Sequence, residues 1–277
     1  MNQENIYEPE RLAGPAGALW LDRVGAFEGV RAAFTTVETL NHPPVAGFPG
    51  PVRDPDGSID EEYVARLAAT VGFAYGRLAT CRQVHGTDVR RVAEAERRWY
   101  DACDGLVTET PGAPLAVFTA DCVPIVMWAP VAGTLAVLHA GWRGTLEKIV
   151  AAGVSAMAEN PAARPQEIMV FLGPAVGPCC YPVGEDVCRA ANDAFGRRAG
   201  QVLIEDAGRV CLDLYRANDL AAQEAGVLPE NVYGVAACTS CRSDLFASYR
   251  REGDAAGRMM AVASIEDETR PRPEGDA

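Results

Sequence analysis

The sequence predicts a mixed α/β fold, with one domain spanning residues 16–265. Short apolar runs rich in β-branched residues recur along the chain, each bounded by turn residues. Segments with apolar residues at helical spacing lie between them, and residues 30–263 contain neither a composition break nor a repeat of fixed period.

Taken in order, residues 1–15 are polar with little to bury, so a flexible N-terminus is expected. Residues 40–58, LNHPPVAGFPGPVRDPDGS, hold too many prolines and glycines for a regular element and predict a surface loop leading to a helix over 59–71. Buried strands are expected at 114–118 (PLAVF), 123–128 (VPIVMW), 134–139 (TLAVLH), 167–172 (EIMVFL), 231–237 (NVYGVAA) and 258–265 (RMMAVASI). Helices are expected at 144–158, after a glycine, and at 183–195, with Val183, Val187, Ala190, Ala191 and Ala194 on one face. A third, at 213–225, has Asp213 as its cap and Gly226 as its stop. The tail 266–277, EDETRPRPEGDA, is expected to be disordered.

The composition narrows the function. A net charge of -13 with scattered arginines lacks the basic patch that dominates nucleic-acid binding, so no nucleic-acid partner is expected. No apolar stretch reaches the roughly 18 residues of a membrane span, and the first residues do not resemble a secretory signal; a cytosolic protein without a membrane partner is expected. The nine cysteines are an odd number in a cytosolic setting, so most are expected to be reduced core residues and a few ligands. Only three histidines exist, at 42, 85 and 139.

His85 (in CRQVHGTDV), Cys122 (in TADCVPIVMW) and His139 (at the end of TLAVLH) all sit at strand ends beside turns, where sites on α/β scaffolds are built. Two imidazoles and a thiolate would give zinc a tetrahedral set with one open position. Residues so far apart obey no local spacing rule, which leaves open two hydrogen-bonded histidines and a buried cysteine. Cys238 and Cys241 form a CxxC with no second CxxC or nearby histidine to complete it, and packing is the expectation. Cys179 and Cys180 are adjacent, so at most one is expected to face a pocket. The turn AGWRG leads from His139 into a helix start, where Arg143 and free amides would suit an anion; a surface ion pair is the alternative. Asp121, Glu185 and Asp213 are open to roles as bases, supporting partners or helix caps.

The ordered set CRQVHGTDV, CDGLVTETPG, TADCVPIVMW, AVLHAGWRGTLEKIV, GPAVGPCCYPVGEDV and DLFASYRREGDAAGRMMAV resembles the YfiH family, also called the laccase-domain or polyphenol oxidoreductase family, over residues 30–263. The resemblance implies a layered domain of mixed β-sheets flanked by helices. It implies a zinc site at His85, Cys122 and His139, with Cys122 as thiolate ligand rather than covalent nucleophile. Asp121 beside it would orient a ligand or relay a proton, and Arg143 with the helix start at Gly144 would hold phosphate. The implied activity is purine nucleoside phosphorolysis on nucleosides and phosphate, with methylthioadenosine phosphorolysis and adenosine deamination as further activities.

Other members imply alternatives, a peptidoglycan-precursor editing hydrolase and a copper-dependent polyphenol oxidase; loss of an N-terminal arginine would allow a third, an inactive metal-binding interaction protein. Copper fits less well, because three histidines cannot build the several centres that multicopper oxidation needs. One departure stands near the N-terminus: AFTTVETLNHPP has Val37 where the family carries an arginine, and His42 is read as a loop residue. The sequence leaves the oligomeric state open and is compatible with a monomer.

Overall fold

Two mixed sheets lie face to face in the computed structural model, which describes residues 3–41 and 60–267. The seven-stranded sheet runs Ile6–Tyr7, Val232–Val235, Met169–Leu172, Val123–Ala129, Thr134–Ala140, Gly105–Thr108, Val89–Val92 from edge to edge. The six-stranded sheet runs Leu19–Trp20, Val30–Phe34, Met259–Ile265, Leu115–Thr119, Ala79–Cys81, Arg98–Tyr100. Each mixes parallel and antiparallel pairs.

The layering follows from side-chain alternation along the central strands. Val123, Ile125, Met127 and Ala129 pack with Ile149, Val154 and Leu220 of the covering helices, whereas Val126 and Trp128 pack with Val117 and Ala261 of the other sheet. Along Met259–Ile265 the odd positions join the inter-sheet core, and Met260 and Val262 face Val64 and Leu67 of the Glu61–Thr70 helix. The order of layers is therefore helix, sheet, sheet, helix. Strands buried on both faces read as continuous apolar runs, which is why these could be found by composition.

All six expected strands are present, their ends shifted by no more than a residue or two. Asp213 caps the Leu214–Glu224 helix by accepting from Arg216 N at 2.9 Å, and Gly226 follows it at φ 96°. The helix expected over 144–158 is two helices, Trp142–Leu146 and Ile149–Met157, broken at Lys148 in the left-handed conformation. Leu146, Ile149, Val150, Gly153, Val154 and Met157 are all buried, so apolar spacing runs unbroken through a break that it cannot reveal.

The N-terminal segment is more engaged than its composition predicts. Ile6 and Tyr7 pair in parallel with Gly234 and Val235, and Leu12 is fully buried. One ladder of two residue pairs and one apolar anchor suffice to dock a short polar segment. The expected loop over 40–58 falls almost wholly outside the described residues, as do His42 and residues 268–277 of the tail. Among the described residues no helix is long and apolar enough to cross a membrane.

Candidate metal centre

The centre is assembled where the two sheets meet at one end. Antiparallel pairing places Ala140 opposite Val123, so His139 and Cys122 arrive at the same end of neighbouring strands. His85 comes from the turn between Ala79–Cys81 in one sheet and Val89–Val92 in the other. The three ligand atoms lie within 4.8 Å of one another, and the two imidazoles meet edge to face with centroids 4.8 Å apart. His139 is buried, Cys122 half-buried and His85 exposed, so the set opens to solvent on the His85 side.

Asp104, fully buried, holds this geometry, and the sequence reading passed over it. One carboxylate oxygen accepts from His85 N (2.9 Å) and faces His139 Nδ1 (2.8 Å); the other accepts from Val84 N (3.1 Å) and Gly86 N (2.7 Å). His85 sits at φ 62°, a conformation costing a non-glycine residue about 1–2 kcal/mol. Three backbone amides on one buried carboxylate, each worth about 1.5–3 kcal/mol, outweigh that strain. The contact to Asp104 places a proton on His139 Nδ1 and turns Nε2 toward the centre. Burial alone would raise the Asp104 pKa, but the hydrogen bond and charge of His139 and the amides of Gly86 and Val84 lower it. The signal available was an aspartate just before the buried strand Gly105–Thr108, in a block of the family resemblance.

The electrostatics favour a ligating thiolate. Burial opposes ionisation of Cys122, yet the charge and hydrogen bond of His139, and then His85, bring its thiol down to about 6. Burial would lower His139, but Cys122 and Asp104 raise it to about 9. One soft thiolate with two imidazoles, one of them oriented by a carboxylate, fits a tetrahedral ion with a fourth position for substrate. Gly141 supplies the clearance: a Cβ there would meet His85 Cδ2 at 2.7 Å and Cys122 Sγ at 3.2 Å. Gly141→Ala is expected to push the His85 ring aside while the sheets remain folded, weakening metal binding on the order of 10-fold through a strain of about 1–3 kcal/mol. Chelator competition measures this, and an unchanged affinity would place His85 outside the ligand set.

Around the centre lie residues of three further segments. Asp121, at φ 92°, accepts from Thr239 Oγ1 and from Arg250 N, both at 2.5 Å. Arg250 stacks over the Tyr181 ring at 5.7 Å and donates to Pro182 O. Burial, then the nearby charges of Cys122 and Asp121, push the Tyr181 phenol up to about 12 despite Arg250 and Arg143. Arg143 is exposed and lies over the Trp142 ring at 4.2 Å. Neither arginine has a carboxylate partner among the described residues, so the ion pair considered for Arg143 is not formed there. The helix beside Arg143 starts at Trp142, two residues before the Gly144 expected. Asp213 is a cap, and Glu185 stands exposed in the first turn of its helix. Thr239, Tyr181 and Arg250 were not singled out by sequence, because nothing local marks a residue whose partner is distant in the chain: Asp121 lies 118 and 129 positions from Thr239 and Arg250, and Tyr181 meets Arg250.

The cysteine expectations need correction. Cys179, Cys180, Cys238 and Cys241 form a second group with sulfurs within 4.8 Å of one another. The tight turn Pro178–Cys180 curls the backbone so that both adjacent cysteines reach Cys241, at 3.7 and 3.4 Å. The CTSC pair is thus completed by GPCC and not by a second CxxC.

A family profile described as multi-copper polyphenol oxidoreductase laccase matches residues 50–266. The chain is 40% identical over 244 residues to a protein of Deinococcus radiodurans named purine nucleoside phosphorylase, covering 88% of this chain and 90% of that one. It is 37% identical over 212 residues to purine nucleoside phosphorylase YlmD of Geobacillus stearothermophilus, covering 73% and 77%. The crystal structure of Bacillus licheniformis hypothetical protein YfiH superposes with a TM-score of 0.80 at 27% identity, covering 94% of this chain and all of that one.

Proposed function

The chain belongs to the family described as multi-copper polyphenol oxidoreductase laccase, and from that membership we propose that it is a purine nucleoside phosphorylase whose resident ion is zinc. The observation that carries this reading is one His–Cys–His set beside two arginines, Arg143 and Arg250, that lack carboxylate partners among the described residues. A ligand set with two histidines suits a single ion. With His42 the only other histidine in the chain, the donors for a multicopper assembly are missing.

A bound zinc would supply Lewis acidity at the substrate while leaving the chain to handle the anion and the protons. In phosphorolysis a phosphate oxygen bonds to the ribose anomeric carbon as the bond from that carbon to the purine nitrogen breaks. The base leaves with the electron pair and takes up a proton. Arg143 and Arg250 would bind the phosphate. Tyr181, whose hydroxyl is held protonated, can donate a hydrogen bond to the departing base or the sugar. Asp104 keeps His139 and the turn of His85 in place. Asp121, with both oxygens engaged by Thr239 and Arg250, acts as a positioning residue for the walls of the site and not as a proton shuttle.

The test is phosphate dependence. Zinc-loaded protein incubated with inosine is expected to release hypoxanthine and ribose 1-phosphate in equal amounts, and to release almost no base when phosphate is omitted. Base release at the same rate without phosphate, with free ribose as product, would make the enzyme a hydrolase and remove the role given to the arginines.

A further inference from the structure

Outside the candidate centre, the described residues hold one other close group of metal-ligating side chains, Cys179, Cys180, Cys238 and Cys241. We propose that these four cysteines form a second, structural metal site that binds zinc as a tetrathiolate. The site joins the loop after strand Met169–Leu172 to the loop after its parallel neighbour Val232–Val235.

The geometry is that of one ion held by four sulfurs. Ligands about 2.3 Å from zinc at tetrahedral angles stand roughly 3.8 Å apart. The sulfur of Cys241 is 3.7 Å from that of Cys179 and 3.4 Å from that of Cys180, and all four fall within 4.8 Å. A disulfide would need about 2.05 Å, and all four cysteines are free thiols. A cluster of several irons would spread its cysteines over separate metal atoms, farther apart than these. An all-sulfur donor set selects a soft or borderline ion over magnesium or calcium.

Three independent features of the backbone serve the sulfurs. Gly177 N donates to Cys238 Sγ at 3.2 Å. Gly177 also leaves room: a Cβ there would stand 3.2 Å from Cys238 Cβ and 3.3 Å from Cys179 Sγ. The two loops are already in register, through the bridge between Ala175 and Cys238 and the bond from Thr239 N to Ala175 O at 3.0 Å.

Four sulfurs this close together can all ionise only around a divalent ion that offsets their charge.

The consequence for the first site is mechanical. Tyr181 follows Cys180 directly, and Thr239, which binds Asp121, lies between Cys238 and Cys241. An ion at the four sulfurs would lock both walls of the His85–Cys122–His139 centre without touching substrate.

The experiment counts zinc site by site on the full chain purified without chelator and dialysed against a weak one. Wild type is expected to carry two zinc ions, and both His85→Ala/Cys122→Ala and Cys238→Ser/Cys241→Ser to carry one. Cobalt loaded into the folded His85→Ala/Cys122→Ala protein should give the intense thiolate-to-metal charge transfer of an all-sulfur tetrahedral site. Zinc should also protect Cys179 and Cys241, both exposed, from alkylation until a strong chelator is added. If the cysteine variant fails to fold, the other variant still decides. One zinc in wild type and none in folded His85→Ala/Cys122→Ala, or full alkylation of the four cysteines in zinc-loaded protein, overturns the proposal. Because these readouts need no substrate, they stand whether or not the chain phosphorolyses nucleosides.

Discussion

Asp104→Asn is expected to cost the protein both its metal affinity and a large part of its stability, although the change replaces one oxygen by a nitrogen. The carboxylate faces donors on both sides: His85 N and His139 Nδ1 on one oxygen, Val84 N and Gly86 N on the other. An amide in either orientation points its NH2 at two of them. The result is a buried donor facing donors, and breaking such a charged network costs about 3–5 kcal/mol. At this chain length that is a fall in Tm on the order of 10 °C. His85 would lose what holds it at φ 62° and His139 what fixes its tautomer, so zinc should bind roughly 10–100-fold more weakly. Calorimetry and chelator competition on one preparation read both effects. A Tm near that of wild type together with full zinc affinity would mean that Asp104 is a spectator.

That residue also marks where the sequence stops being readable. Six strands, among them Val123–Ala129 and Met259–Ile265, were legible because burial on both faces forces runs such as VPIVMWA and MMAVASI. Val30–Phe34 and Gly105–Thr108 enter the inter-sheet core with only five and four residues and were missed. Val89–Val92, with arginines at its centre, and Arg98–Tyr100 lie at sheet edges, where no such pressure acts, and were missed. Asp213 announced itself because a cap acts within three residues. The turn residues beside His85, Cys122 and His139 placed them at strand ends and the family blocks joined them as one ligand set; antiparallel register brings His139 to Cys122, and the turn after Ala79–Cys81 brings His85. What supports them is non-local. Asp104 acts on residues 18 to 35 positions away, Thr239 on one 118 away, and Cys180 meets Cys241 across 61. The rule that adjacent cysteines diverge failed for a conformational reason: it describes a strand, and these two lie in a tight turn.

Arg143→Ala is expected to cost phosphorolysis about 2–3 kcal/mol of transition-state stabilisation, a loss of roughly 30- to 150-fold in kcat/KM, as for one charge-assisted contact in a partly dehydrated site. A chain of net charge -13 repels phosphate at long range, so the anion has to be held by local contacts. The helix at Arg143 has only five residues, Trp142–Leu146, so its dipole adds little and the guanidinium carries the attraction. Stacking on Trp142 at 4.2 Å orients it before the anion arrives. Arg143→Lys keeps the charge but loses the fork, and should recover only part of the rate. Any adenosine deamination uses water as nucleophile and should change by no more than a few-fold in the same mutant. Measuring both reactions in one preparation, with zinc content checked, separates the outcomes. Equal losses would mean that Arg143 organises the metal pocket as a whole, while an unchanged phosphorolysis rate would assign the phosphate to Arg250, the other arginine beside Tyr181.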